Sequence, residues 1–142
     1  IKSAIKEGTF TSEASKTIET SQAVKFDVTE FNGVDVYGDK FQIGETYEYD
    51  KDGKLNKVNR RDERIVNVAI EPANDEAEDY LTIGSAFGNQ EGEKPAAEYF
   101  TVARKSEVTK LEQDVECKVK VTITDVWGVN SEAVVTVLLK KF

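Results

Sequence analysis

The ten residues Val115-Glu-Cys-Lys-Val-Lys-Val-Thr-Ile-Thr124 alternate apolar and polar almost without a break. Val115, Cys117, Val119, Val121 and Ile123 fall on one side, and Glu116, Lys118, Lys120, Thr122 and Thr124 on the other. Successive side chains of a strand point to opposite faces, so this is the pattern of a strand with one buried face and one wet face. A helix would need its apolar residues three and four apart. Asp125-Val-Trp-Gly128 follows as a turn, after which Ala133, Val135, Val137 and Leu139 form a second inward face. Val134 and Leu138 on the other side of that last strand are also apolar. This predicts a place inside a sheet, with partial cover on both sides.

The same period of two recurs upstream. Val24, Phe26 and Val28 alternate with Lys25, Asp27 and Thr29, and Asn32-Gly33 marks a turn. Short β-prone pieces follow at Val34–Tyr37, Phe41–Ile43 and Thr46–Tyr49, punctuated by Gly38 and Gly44. Asp50-Lys-Asp-Gly53 predicts a hairpin with a tight primed turn, because Asp-Gly tolerates positive φ. Arg64–Glu71 is a strand that Pro72 is expected to stop. The acidic stretch Ala73–Asp79 resembles a loop, Tyr80–Ile83 a short strand, and Tyr99–Arg104 a further strand. Between these, Gly84, Gly88 and Gly92 punctuate a polar loop that ends near Pro95. Helical turns are plausible only at Glu76–Leu81 and Glu107–Asp114. Many short strands at regular turn spacing predict an all-β, immunoglobulin-like antiparallel β-sandwich.

Residues 1–22 differ in composition. Within Thr9–Ser21, seven of thirteen residues are Ser or Thr, and only Phe10, Ala14 and Ile18 are apolar. The segment is expected to be a tether-like N-terminal arm or an edge strand, with residues 23–142 forming the sandwich domain. The sequence begins at Ile1 rather than Met, as a processed or cut chain would, so the lack of a signal peptide carries no weight.

Composition narrows the chemistry. The 142 residues carry 19 Lys and Arg against 27 Asp and Glu, a net charge of −8. That balance opposes binding to nucleic-acid phosphates. There is no His, which removes Ser-His-Asp and Cys-His catalysis and every His-containing metal site. No apolar run is long enough to cross a membrane as a helix. The lone Cys117 alternates with valines, which predicts an inert buried thiol. Together these exclusions favour a binding or structural module over an enzyme.

The closing run Asp114–Lys140 resembles the last hairpin of immunoglobulin-like and PKD-like modules. In these, a long alternating strand ends in an Asp-x-x-Gly turn and a second alternating strand closes the domain. The form Asp125-Val-Trp127-Gly128 is particularly similar to modules of Bacteroidota surface lipoproteins. The resemblance implies a non-enzymatic structural or adhesive module at the cell surface or in the periplasm, lipid-anchored in the full-length protein. Its partners would be other domains of a surface protein.

Two sets of residues are candidates for binding. Tyr37, Tyr47, Tyr49 and Trp127 are aromatic residues placed in strands and turns where a face could stack on a sugar ring, so a carbohydrate-binding module is the alternative function. The competing role for such residues is to fill the core. Asp75, Glu76, Glu78 and Asp79 form an acidic stretch that could gather oxygen ligands on calcium; otherwise no cofactor is expected. Glu48-x-Asp50-x-Asp52-Gly53 opens like a calcium loop, but Asn59 stands where a bidentate Glu is needed, which favours the hairpin. Arg60, Arg61 and Arg64 form a small basic spot diluted by Asp62 and Glu63.

Overall fold

A computed structural model describes residues 4–41, 43, 46–58, 64–84 and 98–142. The expected basic pair Arg60-Arg61, position Asn59 and the glycine-punctuated loop through Gly88 to Pro95 lie outside the described residues. Strand accounts for 50% and helix for 8%, so the fold is all-β. The strands are β1 (Ser15–Ile18), β2 (Val24–Asp27), β3 (Thr46–Tyr49), β4 (Leu55–Val58), β5 (Ile65–Pro72), β6 (Leu81–Gly84), β7 (Tyr99–Arg104), β8 (Val115–Asp125) and β9 (Asn130–Leu139), with one short helix, α1 (Asp75–Tyr80).

The long alternating strand is the centre of the largest sheet, whose order is β1-β9-β8-β5. β8 and β9 pair antiparallel over their whole length, setting Cys117 opposite Val137, Val119 opposite Val135 and Val121 opposite Ala133. All six of these side chains are buried, as the alternation predicts. Each fully buried Val contributes about 1.5–3 kcal/mol through burial, so this face outweighs any propensity term in fixing the register. On the other flank β8 pairs with β5, with Ile70 opposite Val121 and a bulge between Ile65 and Asn67. β5 continues through Pro72, which sits opposite Val119 instead of ending the strand before it. β5 is the edge strand, so the missing N–H of Pro72 costs no ladder bond on its solvent side. β9 is internal, as expected, although Val134 on its outer face remains exposed.

The second sheet has the order β2-β7-β6. Its centre is aromatic. Phe26 and Phe100 are directly paired across β2 and β7, with ring centroids 5.0 Å apart and 16° between planes. Phe31 leans on Phe100 at 6.3 Å, and Phe10 stacks on Phe31 at 5.8 Å. These four rings belong to the same buried cluster as the inward faces of β8 and β9, so both sheets share one core.

Of the two expectations for residues 1–22, the edge strand describes Ser15–Ile18. β1 runs parallel to β9, from Ser15 opposite Thr136 to Ile18 opposite Leu139. Residues 4–22 are built into the domain and do not hang from it: Ile5, Phe10 and Ile18 are buried, and bridges join Ile5 to Asp35 and Thr11 to Asn32. The Ser/Thr count is misleading because the few apolar side chains are the ones that face the core, and Thr is itself a good strand former.

The acidic stretch at 73–79 forms a helix where a loop was expected. Asn74 caps it, its Oδ1 accepting from the Ala77 N–H at 2.9 Å, and Asp75, Glu76 and Glu78 occupy the positive first turn. Asn74 also docks the helix on β8, accepting from the Lys118 N–H at 3.0 Å and donating to the Glu116 carbonyl at 3.1 Å. The second expected helical turn, Glu107–Asp114, is irregular. Asp114 there accepts from the Lys141 N–H and Lys140 Nζ, which holds its carboxyl below the usual carboxylate range.

Cys117 is fully buried, and burial, with a smaller push from the negative charge of Glu76, raises its thiol to about 11. A bulky thiol reagent is therefore expected to label Cys117 only on unfolding. Below pH 9.0 both states keep the proton; above it the unfolded chain loses its proton first, so folding weakens as pH climbs towards about 11. Compared with Cys117→Val in urea titrations, the wild type should lose on the order of 2 kcal/mol across that window. Parallel pH profiles for the two proteins would show that the thiol is not in the core.

Candidate functional site

Three loops in this chain are built on the same plan, each from an Asp-x-x-Gly tetrapeptide: Asp35–Gly38, Asp50–Gly53 and Asp125–Gly128. In each, the Asp N–H donates to the carbonyl four residues on, at 2.8 Å to Asp39, 2.9 Å to Lys54 and 3.0 Å to Val129. The Gly N–H closes back on the Asp carbonyl at 3.0 Å in all three. Oδ1 of each Asp accepts two backbone N–H groups at 2.9 Å, from Tyr37 and Asp39, from Asp52 and Lys54, and from Trp127 and Val129. The glycines take φ of 88°, 77° and 81°, a region where a Cβ is penalised. This is a three-residue loop ending in a left-handed glycine, not the two-residue primed turn expected at Asp50. The carboxylate does work that a longer loop would leave to water.

What separates the three is the fate of the second carboxylate oxygen. At Asp50 it takes the Asn56 side chain at 2.9 Å in full solvent. The Lys54 N–H first, then Asn56 and Asp52, hold this exposed carboxyl below its ordinary value. At Asp35 it meets Arg64 Nη1 at 2.6 Å, and at Asp125 it accepts the Ile5 N–H at 2.9 Å. Asp35 and Asp125 are each 1% exposed. Arg64 also lies over the Phe41 ring at 4.3 Å, so its guanidinium is held on two sides.

The two buried carboxylates share neighbours. Ile5 bridges to Asp35 while giving its N–H to Asp125. Arg64 pairs with Asp35 through its side chain and accepts the Val126 N–H through its carbonyl at 2.9 Å. The loops Asp35–Asp39 and Asp125–Val129 are therefore stitched together at one end of the molecule. Each presents a Val and then an aromatic residue to solvent: Val36 and Tyr37 on one, Val126 and Trp127 on the other. Tyr37 is 78% exposed and Trp127 61%.

The structure thus brings together two of the four aromatic candidates. Tyr49 is 75% exposed but sits on the β3–β4 hairpin, opposite Leu55. The side chain of Tyr47 lies outside the described residues. Phe31 and Phe41, from the same aromatic-rich stretch, are core residues. Asp75, Glu76, Glu78 and Asp79 are exposed around α1, and among the described residues no group of three or more His, Cys, Asp or Glu side chains is placed to hold a metal ion. Sequence reasoning missed Asp35 and its loop. The signal was present: Asp35-Val-Tyr-Gly38 repeats Asp125-Val-Trp-Gly128 with only the aromatic residue changed. Comparisons with protein-family models, with curated proteins and with solved structures find no match.

Burial predicts unequal costs for equal substitutions. Asp125→Ala leaves the N–H groups of Ile5, Trp127 and Val129 without their acceptor and should lower stability by about 3 kcal/mol or more in urea unfolding, with Asp125→Asn recovering part. Asp50→Ala removes the same local bonds in solvent and should loosen the hairpin while leaving the global transition nearly in place. Equal losses from the two would overturn the assignment of Asp125 as the buried clamp.

Proposed function

We propose that this chain is a non-enzymatic structural or adhesive module of a bacterial cell-surface or periplasmic protein, an immunoglobulin-like β-sandwich that makes its contacts through the paired loops at one end. The observation that carries this reading is the pair of exposed aromatic side chains, Tyr37 and Trp127, held on turns whose anchors are buried. A turn already locked by its own carboxylate loses little freedom when it meets a partner, which is how rigid contact surfaces gain affinity. Trp, Tyr and Arg are also the residues most enriched where contacts carry energy.

The strand order supports the sandwich reading. When β2, β5, β6, β7, β8 and β9 are taken as B, C, D, E, F and G, the sheets become B-E-D and C-F-G, as in immunoglobulin-like domains. β1 then lies parallel to G, the β3–β4 hairpin is an insertion between B and C, and α1 fills the C–D connection. The lack of His and the inert thiol of Cys117 support a non-catalytic role. The surface location rests on the likeness of Asp114–Lys140 to lipoprotein modules, and other domains of the same surface protein are its nearest partners.

Detection of the full-length gene product in fractionated cells tests the location. It should accompany the membrane or periplasmic fraction and, if surface-held, be cut by protease added to intact cells. A protease-protected pool confined to the cytosol would sink this reading.

A further inference from the structure

We infer that the paired Asp-Val-aromatic-Gly loops form a two-fingered binding site for a neutral glycan, with Trp127 and Tyr37 as stacking faces. The inference deepens the proposed contact role of this end by naming the ligand class. Its first support is the geometry of the fingers. Both aromatic residues occupy the third position of identical turns, where the backbone N–H is bonded to a buried Asp and the side chain is left in water. An exposed large aromatic residue loses hydration without gaining packing, so two on matched brackets point to a face used on something outside the chain.

Size and charge select among occupants. The apolar residues of this end are Val36, Tyr37, Val126 and Trp127, separated by Asp and Gly. A stable protein interface engages roughly 20–30 residues a side, whereas the apolar face of a sugar ring needs only one or two aromatic planes. The chain carries a net charge of −8, which repels phosphate, sulfate and anionic lipid headgroups and leaves a neutral ligand as the match. Exposed polar groups flank both fingers: Asp39 follows the first, and Asn130, which accepts from Thr124 Oγ1 at 2.6 Å, follows the second. Such groups exchange hydrogen bonds with ring hydroxyls, while an acyl-chain environment would penalise them.

Trp127 is the only tryptophan, so its emission reports on the site directly. The intact chain is titrated with neutral oligosaccharides of glucose, xylose, mannose, galactose and N-acetylglucosamine. At least one should shift and quench Trp127 emission saturably, with an apparent Kd of about 1 mM or tighter. Tyr37→Ala, checked for an unchanged thermal transition, should weaken that binding at least about tenfold, and Trp127→Ala should do the same by calorimetry. Tyr99→Ala, on β7, should leave it unchanged.

A flat response to every sugar overturns the inference. So does loss of sugar binding on Tyr49→Ala with Tyr37→Ala silent, which would move the site to the hairpin. An emission shift caused by phosphatidylcholine vesicles alone, or by raising protein concentration alone, would assign the fingers to a membrane or to a second copy and equally overturn it. Sugar binding by a protein found only in the cytosol would retain the ligand and discard the surface location; a surface protein blind to sugars would do the reverse.

Discussion

A buried carboxylate with three backbone donors sits where the longest hairpin turns. Asp125 is the last residue of β8, and burying it is tolerable only because the N–H groups of Trp127, Val129 and Ile5 all point at it. Those three bonds are restrictive. They require the chain to double back with a left-handed glycine at 128, which sets where β9 begins. They therefore set which residues of β9 oppose β8, and a slip of one residue would turn Val135 and Val137 out of the core. The same carboxylate draws the N-terminal segment onto the end of the sheet. Core register, hairpin turn and the docking of Ile5 follow from one polar group that cannot be left unsatisfied.

The repetition of this turn at Asp35 and Asp50 shows what the surroundings add. The local hydrogen bonds are the same in all three loops to within 0.2 Å. At Asp50 water competes for every one of them, and the hairpin is a local structure with exposed Tyr49 and Leu55 on its strands. At Asp35 and Asp125 water is excluded, so the bonds are strong and their loss expensive. Arg64 supplies the counter-charge at Asp35 and is braced by Phe41, which converts a surface cation into part of the scaffold. The loops that present Tyr37 and Trp127 are consequently among the stiffest parts of the chain's surface, a setting in which exposed aromatic side chains serve recognition better than on a mobile loop.

Much of the strand pattern was legible because burial on one face of a sheet leaves a period of two. β7, β8 and the inward face of β9 could be read to within a residue, and Cys117 was placed in the core by its valine neighbours. The hairpin at Asp50-Lys-Asp-Gly53 was legible from its turn residues, although its loop length was not, since Asp-Gly suits more than one turn. The helix at Asp75–Tyr80 was half visible: its acidic first turn looked like a solvated loop until Asn74 was seen to cap it and grip β8 at once. Residues 4–22 were misleading for a related reason, since the composition of a segment averages over Ile5, Phe10 and Ile18, and the average hides that all three face inward.

The sequence by itself determined the all-β class, the long β8–β9 hairpin and its inward face, and the absence of histidine chemistry, because each of these follows from local periodicity or residue type. Only the tertiary structure decided which aromatic residues are core and which are surface. Phe31 and Tyr37 lie six residues apart in one aromatic-rich stretch, yet one is stacked between Phe10 and Phe100 and the other stands in water. It alone decided, too, that Asp35 and Asp125, ninety residues apart, would meet through Ile5 and Arg64. That meeting depends on long-range pairing, Ile5 with Asp35 and β5 with β8, and a local pattern carries no information about which distant residue will supply the missing hydrogen-bond partner.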